Sequence, residues 1–106
     1  MRNLYFSQKV FETIDEHVYQ YRRYFYDLYS DTGIWSEADI LEYYARAAVL
    51  RRIEIIHLIK SRLNDQPVMG HSGNQTVKIL WKKKILLVSW EDEDIENRMI
   101  TNLEIL

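Results

Sequence analysis

The spacing of the apolar residues changes once along this 106-residue sequence, between residues 64 and 75. Before that segment, apolar residues recur every three or four positions, as they do along one face of an amphipathic helix. After it, they alternate with polar residues, as they do along a half-buried β-strand. The two periods predict helices followed by an antiparallel sheet, which is an α+β fold.

The first predicted helix runs from about Gln8 to Ser30. Ser7 has a side chain that commonly caps helix N-termini, and Gly33 follows where a chain leaving a helix can take a positive φ. One stripe of this helix, with spacings of three and four, is predicted to face the core and consists of Val10, Ile14, Val18, Tyr21, Phe25 and Leu28.

The second predicted helix begins after Ser36, which resembles a capping box with Asp39 three residues later. It is expected to run to about Leu63, because the segment 64–67 ends in a proline, which cannot continue a helical hydrogen-bond ladder. Its predicted core face, which Arg52 interrupts, consists of Leu41, Ala45, Ala48, Ile55, Ile56, Ile59 and Leu63.

Three strands are predicted after a polar, glycine-containing loop at Met69–Gln75. The first two, Thr76–Trp81 and Ile85–Trp90, are joined by a turn at Lys82–Lys84. The third ends the sequence, and its alternation is predicted to place one set of side chains on one side, namely Met99, Thr101, Leu103 and Ile105.

A short strand is also predicted before the first helix, because Leu4 and Phe6 alternate with polar neighbours. The predicted order is therefore β-α-α-β-β-β. An α-hairpin of two long helices covers one face of a C-terminal three-stranded antiparallel meander, in two layers, and the other sheet face stays open. The length is that of one domain, residues 1–106.

The composition restricts which cellular compartment and which classes of partner are expected for this protein. The 14 basic and 16 acidic side chains give a net charge of −2, so nucleic acid is expected to bind only through a local basic patch. No cysteine is present, which excludes thiol redox chemistry and thiolate metal sites. The longest apolar run, Ile85 to Val88, is too short to span a membrane, and no signal peptide is recognised. We expect a cytoplasmic protein without a membrane partner.

Two groups of residues are candidates for binding a partner. In the first helix, tyrosines alternate with arginines, and its outward-facing members are expected to suit a protein interface, where both residue types are enriched. In the predicted sheet, the lysines have two interpretations. They form either a hairpin turn that attracts phosphate groups, or a solvated turn whose charges keep an edge strand from pairing with another chain. The candidate partner-binding residues are Tyr19, Arg22, Arg23, Tyr26, Lys78, Lys82 and Lys84.

No metal, cofactor or catalytic motif is predicted. Glu54 and His57 form one E-x-x-H, but di-iron sites need two such copies and the sequence has one. It contains no Walker A loop, no dinucleotide-binding glycine pattern and no G-x-S-x-G nucleophile. Any enzyme activity would depend on polar side chains of the open sheet face or its rim.

The C-terminal third resembles a known family. The strand Ile85–Glu91, the acidic turn Asp92–Asn97 and the final strand Arg98–Ile105, together with Tyr5-Phe6-Ser7 before a helix, resemble the RelE/ParE superfamily of toxins from bacterial type II toxin–antitoxin systems. The resemblance covers most of the chain as architecture. It implies a partly disordered antitoxin that folds across the toxin on binding.

The resemblance also implies two kinds of activity. Some members cleave ribosome-bound mRNA with basic residues on the sheet, which correspond here to Lys78, Lys82 and Arg98, whereas ParE-like members poison DNA gyrase. Cleaving members place a His, Tyr or Arg near the end of the last strand, and none follows Ile100 here. A ParE-like or degenerate toxin that acts by protein–protein contact, without catalysis, is therefore favoured.

Two alternatives stay open. The first is a small interaction module of a phage or mobile element, such as an immunity or inhibitor protein, which the acidic balance and the tyrosine-rich helix also suit. The second is a ribosome-dependent mRNA-cleaving toxin that would use Lys82, Lys83 and Arg98. The oligomeric state stays open as well.

Overall fold

A computed structural model describes residues 3–64, 66–67 and 75–106, and only the backbone of residues 21, 23 and 24. It confirms the α+β fold with a short N-terminal strand, helices and a C-terminal antiparallel meander. The predicted loop at Met69–Gln75 lies outside the described residues except for Gln75. The elements are β1 (Asn3–Phe6), α1 (Gln8–Tyr19), α2 (Tyr21–Ser30), α3 (Glu37–Asn64), β2 (Gln75–Trp81), β3 (Lys84–Asp92) and β4 (Asn97–Ile105).

The first predicted helix is divided at Gln20 into α1 and α2. Gln20 keeps helical dihedral angles, with φ −60° and ψ −24°, so the interruption lies in the hydrogen-bond ladder and not in a reversal of the chain. Ser7 is the N-cap, as predicted, and its hydroxyl accepts a hydrogen bond from the Val10 N–H at 3.4 Å. Gly33, after α2, has a φ of +69°, which confirms the predicted positive value.

The N-terminus of α3 is held by the predicted capping box. The Asp39 N–H donates to the Ser36 hydroxyl at 3.2 Å, and the Ser36 N–H donates to the Asp39 carboxylate at 3.2 Å. The hydrogen bonds from Ser36 stabilise the charged carboxylate and lower the pKa of Asp39. α3 then continues for 28 residues, about 40 Å at 1.5 Å per residue.

The four strands form one sheet in the order β1-β4-β3-β2. The β2–β3 and β3–β4 pairs are antiparallel, and β1 joins the far edge parallel to β4, with Phe6 opposite Ile100. α1 and the C-terminal half of α3 cover one face. Their buried side chains meet those of the sheet in one core, which includes Val10, Ile14, Ile55, Ile59, Leu63, Ile79, Trp81, Leu86, Val88, Trp90 and Ile100.

The last strand does not keep the single alternation of side chains that was predicted for it. The pairing of β3 with β4 shifts between Ser89 and Trp90, so that Trp90 faces Ile100 and Ser89 faces Asn102. Because one extra residue exchanges the two faces of a strand, Leu103 is buried after the shift but Ile100, not Met99, is buried before it. Ile100 and Leu103 were assigned to the two different sets of the predicted alternation, and both are buried.

The molecule is elongated because a pair of helices extends beyond the sheet. Its principal extents are 59 × 22 × 20 Å, and its radius of gyration of 16.9 Å exceeds the ~13 Å of a compact domain of this length. We call residues 21–50, which comprise α2, the connection and the first half of α3, the helical arm. Leu28 and Leu41, which were predicted to face the core, are exposed on this arm.

Candidate interaction surface

The arm is held together by aromatic side chains. The ring of Tyr29 lies 6.0 Å from that of Phe25, 5.3 Å from that of Trp35 and 5.2 Å from that of Tyr43, between centroids. Phe25 also meets the rings of Tyr43 and Tyr44 edge to face. Such pairs stabilise the arm beyond the area that they bury. Several of the arm's tyrosines therefore serve its own packing.

Three of the predicted partner-binding residues come together where α1 meets α2. Tyr19, Gln20, Arg22 and Tyr26 line an open groove of about 560 Å³, which we call the junction groove. The Arg22 guanidinium lies 5.9 Å from the centre of the Tyr19 ring, and hydrogen bonds to the hydroxyls of Tyr19 and Tyr26 raise the pKa of Arg22. The groove offers aromatic faces, hydroxyls and a permanent positive charge.

Tyr44 of α3 contacts the end of α1. Its hydroxyl donates to the Val18 carbonyl oxygen at 3.4 Å, which ties the arm to the last turn of α1. Burial raises the pKa of Tyr44, and the nearby charge of Arg22 opposes that shift. The phenol is therefore neutral at physiological pH.

A second cluster surrounds Trp81 at the end of β2. The Trp81 indole N–H donates to the Glu54 carboxylate at 2.8 Å, and the ammonium of Lys82 lies 3.8 Å from the same carboxylate. Lys82 and Arg51 each place a positive charge 5.5 Å from the centre of the indole ring. Lys82, a predicted binding residue, therefore contacts a neighbouring side chain and takes a φ of +57° in the hairpin turn.

His17, near the C-terminal end of α1, lies against the second cluster. Its ring meets Trp81 edge to face at 5.6 Å, and burial, together with the positive charges of Lys84 and Arg51, lowers the pKa of His17. Burial is the larger cause, and the two cations add to it. Arg22, Arg51, Lys82 and Lys84 thus lie around the C-terminal end of α1, and Lys83 occupies the same hairpin turn.

The open sheet face is not basic among the described residues. Lys78, a predicted binding residue, lies opposite Leu87, and Leu87 lies opposite Glu104 on the next strand. Glu91 adds a second carboxylate to the same face, and Thr76 and Ser89 hydrogen-bond to each other through their hydroxyls at 3.1 Å. This face has no excess of positive charge that would attract an RNA backbone.

Arg98 was predicted among the basic residues near the lysine turn, and the structure contradicts that placement. Its side chain is fully buried on the helix-covered face. The Nε of Arg98 donates to the Asp92 carboxylate at 2.5 Å, and its terminal nitrogens donate to the carbonyl oxygens of Leu63 and Pro67. It also lies over the Trp90 ring, 5.4 Å from the centroid. Arg98 joins β3, β4 and the end of α3.

Lys82, Lys83 and Arg98 are therefore not brought together. Asp92 and Arg98 pair at one end of β3, and the lysine turn precedes Lys84 at the other. Eight residue steps of about 3.3 Å put roughly 26 Å between the two ends. A cation buried in a salt bridge at one end cannot share a phosphate with lysines at the other.

The acidic segment that begins at the end of β3 has a structural role at two of its positions. Asp92 pairs with Arg98, as described above, and Asp94 accepts hydrogen bonds from the backbone N–H groups of Glu96 and Asn97, each at 2.8 Å. The Asn97 side-chain amide also donates to Asp94, and these bonds lower the pKa of Asp94. The predicted acidic turn is thus built from its own side chains.

Sequence reasoning missed one exposed apolar group. Val49, Leu50 and Ile53 lie in the middle of α3, on the side away from the core, and all three are exposed. Periodicity assigned the core face correctly at Ile55, Ile59 and Leu63 but gave no reason to examine the opposite side. The available signal was the presence of three aliphatic residues, outside the predicted stripe, within five positions.

Neither metal ligation nor a membrane span is found in the described parts of the chain. No group of three or more His, Asp or Glu side chains among residues 3–64, 66–67 and 75–106 could hold a metal ion. In those same ranges, none of the helices combines the length and the apolar character needed to cross a bilayer. Glu54, one half of the E-x-x-H, instead accepts the Trp81 N–H.

Comparison with known proteins identifies no relative of this chain. No family model matches the chain, and neither a curated protein nor a solved structure matches it significantly.

Proposed function

We propose that this protein is a toxin-like component of a bacterial toxin–antitoxin system, of the RelE/ParE kind, that acts by binding another protein and does not cleave RNA. The observation that carries the proposal is the junction groove, in which Tyr19, Arg22 and Tyr26 meet in one open surface. Tyrosine and arginine are the residue types that most often dominate binding energy in protein interfaces.

The charge around the groove indicates the chemistry of the partner. Arg22 lines it, Arg51 and Lys84 lie near enough to His17 to lower its pKa, and Lys82 flanks Trp81. A protein segment with carboxylates and an apolar anchor would complement this surface. DNA gyrase is the target that the family resemblance suggests, and an antitoxin is the expected inhibitor.

The ribonuclease alternative has less support. It needs Lys82, Lys83 and Arg98 to act on one phosphate, but Arg98 is buried in its pair with Asp92 at the far end of β3. Stabilisation of a phosphorane requires a cation that reaches the developing charge. The described open sheet face, with Glu91 and Glu104 on it, supplies no substitute.

Induced expression in a bacterial host tests the proposal. We expect growth arrest without mRNA cleavage, and we expect the double substitution Tyr19→Ala/Tyr26→Ala to relieve it. Loss of two interface tyrosines at about 2 kcal/mol each would weaken binding on the order of 1,000-fold. Tyr5→Ala is the matched control, because Tyr5 is also exposed but lies on β1.

Other results would overturn the proposal in distinct ways. Harmless expression of the folded chain would contradict a toxin and favour an immunity or inhibitor module. Cleaved mRNA that disappears in a folded Lys82→Ala/Lys83→Ala variant would establish the ribonuclease. Purified protein can be tested in parallel for inhibition of gyrase supercoiling, with the tyrosine double variant and Tyr5→Ala as the comparison.

A further inference from the structure

The middle of α3 presents an aliphatic patch to solvent. Val49, Leu50 and Ile53 are 54%, 67% and 56% exposed, and they lie within little more than one helical turn. The residues on its N-terminal side are charged: Arg46, about one turn before Val49, and Glu42, about two turns before it, form a salt bridge at 2.6 Å. A contiguous apolar patch with a charged border is typical of a surface that binds another protein.

The positions around this patch follow a coiled-coil repeat. From Glu42 to Lys60, five exposed residues and Ile56, which is half-buried against the core, are separated by 4, 3, 4, 3 and 4 positions, which is the spacing of alternating d and a positions in a heptad. This seam, as we call it, spans 18 residue steps, or about 27 Å. It consists of Glu42, Arg46, Val49, Ile53, Ile56 and Lys60.

The charges of the seam favour one orientation for a second copy. In a parallel pair each residue would meet its own counterpart, so that Glu42 would face Glu42 and Lys60 would face Lys60. In an antiparallel pair centred on residue 51, Glu42 of one copy faces Lys60 of the other at both ends, and Val49 faces Ile53 twice at the centre. The apolar centre suits both orientations, but only the antiparallel one pairs opposite charges at the ends. It also sets Arg46 against Ile56, which the aliphatic stem of the arginine can cover.

We propose that the outer face of α3 binds a second copy of this chain as an antiparallel two-helix seam, with a two-fold axis near residue 51. The interface is isologous, because the same residues contribute from both copies. This proposal goes beyond the toxin-like function, and the interface includes none of the residues of the junction groove.

The flanks of the seam are compatible with this arrangement. On one flank the axis brings Leu50 next to Leu50 of the second copy, which buries the most exposed member of the patch. On the other it brings the two Arg52 side chains near each other, but each is already paired with Asp15 of its own chain at 2.7 Å. The internal salt bridges reduce the repulsion between the two guanidinium groups.

The end of the seam has room for the partner. Beyond Ile56, Lys60 lines an open groove of about 550 Å³ between β1 and the last turns of α3, together with Tyr5, His57 and Ser61. The Lys60 ammonium lies 5.9 Å from the centre of the Phe6 ring and is exposed. In the proposed register, Glu42 of the second copy approaches this side chain.

Disulfide trapping tests the register directly, because the natural sequence contains no cysteine. Leu50→Cys is expected to form a covalent dimer under mild oxidation. Lys60→Cys and Glu42→Cys are expected to remain monomeric when each is oxidised alone and to form a mixed dimer when they are combined. A parallel pair would reverse this result, since Lys60→Cys alone would then be trapped, and that outcome would overturn the proposal.

Sedimentation of the untagged full chain, from about 1 µM to about 1 mM, tests the association itself. We expect a monomer–dimer equilibrium that weakens at least 30-fold in Ile53→Asp. The matched control is Leu80→Asp, which places the same charge at an exposed aliphatic residue of β2. A chain that stays monomeric throughout this range, or a dimer that is lost in Leu80→Asp and kept in Ile53→Asp, would refute the seam. Circular dichroism confirms that both variants are folded.

Discussion

Arg98→Ala is expected to destabilise the protein severely, because Arg98 is a buried structural residue. Its removal leaves the Asp92 carboxylate, whose side chain is only 8% exposed, without its cation, and it leaves the Leu63 carbonyl without its donor. Removing one partner of a buried ion pair costs about 3–5 kcal/mol. A domain of this size has about 5–15 kcal/mol in total, so a large part of the folding free energy would be lost.

Urea denaturation measures this cost. With an m-value of about 1.5 kcal/mol per M, a loss of about 4 kcal/mol lowers the transition midpoint by roughly 2.7 M. Asp92→Asn keeps the shape of the carboxylate but removes its charge, so we expect a loss of similar size. The double substitution Arg98→Met/Asp92→Leu removes both charges and is expected to recover much of the stability.

The result also separates a structural from a catalytic arginine. If the free energy of unfolding of Arg98→Ala lies within about 0.5 kcal/mol of that of the natural protein, the buried pair contributes nothing to stability. The argument against the ribonuclease then fails. If the variant is strongly destabilised while the double substitution is stable, Arg98 acts through the fold. The double variant then allows RNA cleavage to be measured in a folded protein that lacks the guanidinium.

Two further predictions concern single side chains near Trp81. Burial and nearby cations lower the pKa of His17 below 6.5, so the unfolded chain binds a proton at this histidine more readily than the folded chain. Folding stability is therefore lost as the pH falls from about 6.5 through the pKa of the folded state. Urea midpoints at about pH 7.5 and about pH 5.5 are expected to differ less in His17→Gln than in the natural protein, and equal differences would contradict this assignment. Lys82 takes a φ of +57°, which costs a non-glycine residue about 1 kcal/mol, so Lys82→Gly is expected to raise the thermal midpoint by several degrees. Lys83→Gly, whose backbone φ is not positive, is the control and is expected to lower it.

The sequence predicted the order of the elements because periodicity reports local amphipathicity. The strand–helix–strand order, the Ser36 cap and the burial of Ile55, Ile59 and Leu63 all follow from it. Periodicity does not report how far the covering layer extends. The sheet covers only the C-terminal half of α3, so the same stripe faces the core at Ile59 and solvent at Leu41.

The site was harder to predict because it depends on long-range pairing. Arg98 lies two positions before Ile100, which would place it on the core face, but its partner Asp92 could be identified only once the shift between Ser89 and Trp90 had fixed the register. Tyr19, Arg22 and Tyr26 could be grouped because they are close in sequence on the α1–α2 segment. Trp81, Glu54 and Arg51 belong to different elements, and only the fold brings them together.

One continuous helix serves two regions of this molecule. The C-terminal half of α3 is fixed by the sheet, whereas its N-terminal half is fixed by the aromatic side chains of the arm. Substitutions in the arm can therefore change its exposed surface without disturbing the packing of helix against sheet. One end of such a helix is free to vary, whereas its other end is constrained by folding.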